Sequence, residues 1–318
     1  MADMTDATAA RSSLRSAPVS SWAPLRKCLF AALSGLSLFA LGCTDLDSAP
    51  PDGTTVGPSC APTKPRAFVI STLGFTRVDT MNGTAPGFDL DGVVSDGTDP
   101  ASCLKKDFLG PDGAKGVDNQ LASLIPDVEK ILGNAVDGLI QGAINNGDLL
   151  ILLEVDGAKS MQDASCADLT VKLGRGKPTL GTDGVIEAYQ TFDVDSGGEV
   201  SHGTLGKIED GVLTVGPFEL AIPIAIFDVA FTIHVHDALF RLTVDAEDGI
   251  LKGGFVGGGV VPQEILDGVK DGAGVDKYIP VLTLVLNNST DLEPDAEGTC
   301  TQLSAALQIT AVEAFLRE

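Results

Sequence analysis

Apolar and polar positions along this chain fall into stretches of different period. Arg66 to Thr80, RAFVISTLGFTRVDT, is dense in β-branched and aromatic residues. That composition predicts a strand, bent where Gly74 stands. From Val117 to Asn146 the period changes. Leu121, Leu124, Val128, Ile131, Leu132, Leu139, Ile140 and Ile144 recur at intervals of three and four, the pattern of an amphipathic helix. Pro126 should break it into a short and a longer part, and Gly147 should end it. Leu149 to Val155, LLILLEV, reads as a buried strand, with further strands over Leu169–Leu173 and Val185–Asp195.

Gly203 to Val261 holds the strongest period-two signal. Phe227, Val229, Phe231, Ile233 and Val235 alternate with polar or small residues, and Phe240, Leu242 and Val244 repeat the alternation. Asp210-Gly211 and Asp248-Gly249 have the residue types of primed hairpin turns. Gly253-Gly254 and Gly257-Gly258-Gly259 predict bulges or close backbone contact. Pro262 to Val269 reads as a short helix, Tyr278 to Leu286 as a strand, and the alternation from Cys300 as a last strand, with helix as its alternative. The pattern as a whole predicts an α+β fold. It is a mainly antiparallel β-sheet, meander or sandwich-like, with one main amphipathic helix packed on it, in a single domain over 65–318.

Ahead of that domain, Thr44 to Lys64 is rich in Pro, Gly, Ser, Thr and Asp and shows no apolar period, so 43–64 reads as a flexible tether. Arg26 and Lys27 precede an uncharged run from Cys28 to Leu41. As a helix that run would cover about 21 Å, short of a hydrocarbon core of roughly 30 Å, and it fits the apolar region of a signal peptide over 1–42. It ends in Ala40-Leu41-Gly42-Cys43, which resembles the lipobox of bacterial lipoprotein precursors. The family prefers Leu at the third position before the cysteine and a small residue at the second, where this chain has Ala40 and Leu41. The resemblance implies cleavage before Cys43, acylation of its thiol and a membrane partner held through the lipid. Because Thr44 rather than Asp follows Cys43, it also implies the outer membrane of a bacterial envelope.

Charge narrows the partners. The formal net charge is −23, which repels phosphate backbones and excludes nucleic acid as a partner. Hydrophobic residues make up 44% of the chain, too many for a disordered polymer. With Cys28 in the leader and Cys43 acylated, Cys60, Cys103, Cys166 and Cys300 remain. Four cysteines in an exported chain predict two disulfides with three pairings open, of which Cys60–Cys300 with Cys103–Cys166 is preferred.

Candidate chemistry is sparse. Met81 to Asn119 carries Asp89, Asp91, Asp96, Asp112 and Asp118 among glycines, the residues that tight oxygen-rich turns use to bind calcium. The EF-hand register is absent, and Asx turns would use the same residues for local reasons. His234 and His236 project from one face of a strand and form the single spacing suited to a transition metal. No nucleophile elbow, zinc-protease motif or phosphate loop occurs. The expectation is a membrane-anchored envelope lipoprotein with a binding or structural role and no catalysis. The alternatives are a carrier of an apolar ligand between helix and sheet, and a calcium-dependent binding module.

Overall fold

The computed structural model describes residues 59–132, 136–226, 229–245, 250–270 and 277–318. The leader, Cys43, most of the tether, Phe227 and the Asp248-Gly249 turn lie outside the described residues. In chain order the elements are β1 (Arg66–Phe75), α1 (Gln120–Leu132), α2 (Val136–Asn146), β2 (Ile151–Asp156), β3 (Ala164–Arg175), β4 (Gln190–Val194) and β5 (Ser201–Glu209). There follow β6 (Val212–Ile226), β7 (Val229–Val244), β8 (Ile250–Val260), α3 (Pro262–Val269), α4 (Ile279–Asn287), β9 (Leu292–Pro294) and β10 (Cys300–Arg317).

Strands β1, β2, β3, β5, β6, β7, β8 and β10 each pair antiparallel with the next. β10 then returns to β1, with Ala67 opposite Ala314 and Phe75 opposite Leu307, which closes an eight-stranded barrel. β4 bridges the C-terminal ends of β3 and β10, antiparallel to the first and parallel to the second. The expected sheet with one main helix is thus corrected to a closed barrel with, among the described residues, four short helices. Period two reports which face of a strand is buried. It does not report that the first strand will meet the last.

The core explains why some strands carry no alternation. Phe68, Val69, Leu152 and Leu153 are all 0% exposed, so β1 and β2 are covered on both faces and read as unbroken apolar runs. One of those covers is α2, whose Gln141 donates to the Ser71 carbonyl at 2.9 Å and whose Asp137 accepts from the Phe75 amide at 3.1 Å. Around the ring, Leu169, Leu213, Leu242 and Leu251 join the same cluster, and the Phe218 and Phe240 rings stack 5.7 Å apart. A second cluster joins Leu124 of α1, Leu266 of α3, Leu286 of α4 and Leu303 of β10. Among the described residues no helix is long and apolar enough to cross a membrane.

Local signals fared unevenly. Asp210 and Gly211 both have positive φ, 50° and 75°, as a primed turn between β5 and β6 requires. Pro262–Val269 is a helix as expected. Pro126 does not break a helix but sits inside α1, where buried Leu124 and Ile125 hold the turn in place. Tyr278 to Leu286 is not a strand but α4, with Pro280 in its first turn, a helix-start residue within a short apolar run that periodicity cannot assign.

Two disulfides form, but with a pairing different from the preferred one, Cys60–Cys166 and Cys103–Cys300. The reason is the path of the tether. Thr63 donates its amide and hydroxyl to Asp156 Oδ1 at 2.7 and 3.0 Å, and the Cys60 amide reaches Asp168 at 2.7 Å. Residues 60–63 therefore lie along the β2–β3 turn, which brings Cys60 to Cys166 of β3.

Candidate cation site

Residues 76–119 form a loop that folds on itself and docks on the barrel wall. Antiparallel bridges Phe88–Asp118 and Phe108–Val117 close it. Asn119 Nδ2 ties the Thr76 hydroxyl to the Pro86 carbonyl, both at 2.6 Å. Phe88 lies over Gly257 of β8 and beneath the Arg241 guanidinium, 5.3 Å from the ring centre. The glycine run of β8 thus receives the loop, the close backbone contact its sequence suggested. Cys103 fixes the far side of the loop to Cys300 at the start of β10.

Within this frame one oxygen each from Asp89, Asp91 and Asp118 lies within 4.8 Å of the others. Each carboxylate is aimed by its own backbone contacts. Asp89 accepts from the Gly92 amide at 2.8 Å, and Asp91 accepts from the Val93 amide at 2.8 Å and the Ser102 hydroxyl at 2.7 Å. Asp118 accepts from the Leu90 amide at 2.7 Å and the Asp91 amide at 3.3 Å. Gly116, at φ 73°, lets the chain pass: a Cβ there would lie 3.0 Å from the Val93 carbonyl oxygen and 3.2 Å from Asp89 Oδ2.

Two further acids border the trio. Asp107 makes a side-chain hydrogen bond with Asp118 and accepts from the Ser95 amide at 2.5 Å. Asp291, just before β9, accepts from the Ser304 amide and hydroxyl at 2.7 and 2.5 Å, and Ser304 Oγ in turn accepts from the Gln120 amide. Burial pushes the Asp118 carboxyl up to about 8, partly offset by the Leu90 amide and reinforced by Asp91, Asp107 and Asp291. Burial likewise pushes Asp291 up to about 6 and Asp107 upward. Among the described residues no Lys or Arg forms an ion pair with any of these five acids.

Such a set gathers five carboxyl groups with no cationic side chain paired to them among the described residues. The donors are all oxygen, which suits a hard cation such as calcium rather than zinc. Asp89, Asp91 and Asp118 are the expected residues that meet. Asp96 instead caps its own turn through Thr98, and Asp112 accepts from the Ala114 amide and lies 3.8 Å from Arg241. Asp291 escaped the sequence reading because long-range ties, the Cys103–Cys300 link and the Gln120–Ser304–Asp291 hydrogen bonds, bring its acidic loop to the site.

His234 and His236 each face a different carboxylate. His234 Nδ1 lies 3.2 Å from Glu264, and His236 Nδ1 lies 2.8 Å from Glu219. His202 sits against Thr170 instead. Cys60, Cys166 and Asp168 also converge, but the two sulfurs are bonded to each other and offer no thiolate. Comparison with protein-family models, curated proteins and solved structures found no match.

Proposed function

We propose that this chain is an exported, lipid-anchored envelope protein with a binding role, in which the barrel carries an acidic loop that holds a calcium ion. The convergence of Asp89, Asp91 and Asp118 beside Asp107 and Asp291 carries the reading. A divalent cation would relieve the repulsion among these acids, and the closed loop brings three carboxylate oxygens within 4.8 Å of one another. Cation binding would then order the loop face and make it a surface for a partner. Export is supported by the lipobox-like leader and by two disulfides, which persist in oxidising compartments. The apolar-carrier reading comes second. A ring of eight strands can hold one small ligand or be filled by its own side chains, and here Phe68, Leu153, Leu169, Phe240 and Leu242 pack together in the core.

The test is a thermal melt with calcium, with magnesium and with chelator. Calcium in excess should raise the midpoint, chelator should reverse the rise, and magnesium should act more weakly. Identical melts in calcium and chelator would sink the cation reading. Incorporation of labelled palmitate, lost in Cys43→Ser, tests the anchor separately.

A further inference from the structure

At the barrel rim where the tether enters, a cleft of about 610 Å³ opens between the starts of β1 and the β2–β3 turn and the end of β10. Its volume is that of a small-molecule site. Val155, Met161 and Ala314 form a buried apolar floor, while Phe315 stands 54% exposed at the mouth. Four charged side chains and Lys64 complete the lining, and their pairing is uneven. Arg66 Nη2 is 2.7 Å from Glu313, and Glu154 is 3.5 Å from Lys172, so both acids are compensated. Lys64 and Lys159 have no ion-pair partner among the described residues. In a chain of net charge −23, this cleft keeps two cations with no ion-pair partner among the described residues.

The wall is also fixed in advance. Thr63 is held to Asp156 and Cys60 to Cys166, so the backbone carrying Lys64 is placed before any ligand arrives. We propose that the cleft binds one single-chain amphiphile with an anionic head, a free fatty acid being the simplest. The acyl chain would lie on Val155, Met161 and Phe315, and the carboxylate would sit between Lys64 and Lys159.

The full chain carrying Cys43→Ser, so that no acyl group of its own competes, is titrated calorimetrically with dodecanoate below micellar concentration. Chelator is present throughout, which avoids calcium soaps and makes the result independent of the cation reading. Saturable binding of one dodecanoate is expected. Lys64→Glu with Lys159→Glu should weaken it at least tenfold, Phe315→Asp should weaken it too, and the exposed Lys177→Glu should leave it unchanged. All four positions are at the surface, and unchanged circular dichroism confirms the fold. Absence of saturation, equal binding of dodecyltrimethylammonium, or indifference to the double charge reversal would each overturn the proposal. So would binding to phosphatidylglycerol vesicles without binding of monomeric dodecanoate, which would make the rim a membrane contact instead.

Discussion

Phe88 rests on Gly257 so closely that a Cβ at position 257 would lie 2.8 Å from its ring and 2.9 Å from the Ala305 carbonyl oxygen. The loop bearing the candidate cation site is therefore seated on a position that tolerates only a hydrogen. Gly257→Val should force Phe88 outward and destabilise the protein by roughly 1–3 kcal/mol. In urea the midpoint should fall, and calcium should bind more weakly. A variant with wild-type midpoint and affinity would show that the loop does not depend on this seat.

Asp118→Asn separates the two roles of that side chain. The amide keeps an oxygen for the Leu90 amide and is neutral without taking up the proton that Asp118 must bind on folding at neutral pH. Without calcium at neutral pH the variant should be more stable than wild type by on the order of 1–3 kcal/mol. With calcium the order should reverse, because the variant lacks the ligand. Destabilisation in chelator would mean that Asp118 is not held against repulsion.

The same charges set a pH dependence. Asp118 rises from 3.8 to about 8 and Asp291 from 3.8 to about 6. Between those limits the folded chain binds more protons than the unfolded chain, so stability should fall as pH rises from about 4 to 8 in chelator. Calcium should flatten the upper part of this slope by replacing the protons. Melts recorded across the range in each condition give the comparison, and a profile in chelator that climbs with pH would contradict it.

Removing the two disulfides should have different consequences. Paired Ser substitutions at Cys60 and Cys166 free the tether from β3 and should lower global stability by about 2–5 kcal/mol. Paired substitutions at Cys103 and Cys300 free the acidic loop from β10 and should also lower calcium affinity, since Asp291 would no longer be held beside Asp91. Equal calcium affinity in the two variants would remove the link from the site.

Much of the wall could be read along the chain. β7 alternates on each side of its bulge because one of its faces is buried, and Asp210-Gly211 turns where its residue types require. What failed were relations between distant segments. Nothing around Arg66 indicates that its strand pairs with β10, and the Cys60–Cys166 link depends on a tether path fixed by Asp156. The site was legible in kind but not in membership. Asp89, Asp91, Asp96, Asp112 and Asp118 share the same local Asp/Gly chemistry, and only the bridges Phe88–Asp118 and Phe108–Val117 decide which of them meet.

The Arg66–Glu313 contact spans 247 positions of chain, and it sits at the seam where the cylinder shuts. Until the final strand has been made, β1 and β8 each present an unsatisfied border to their surroundings. A polypeptide built this way cannot close its barrel while it is still being synthesised from the front end, so an open form with two free strand borders precedes the finished ring.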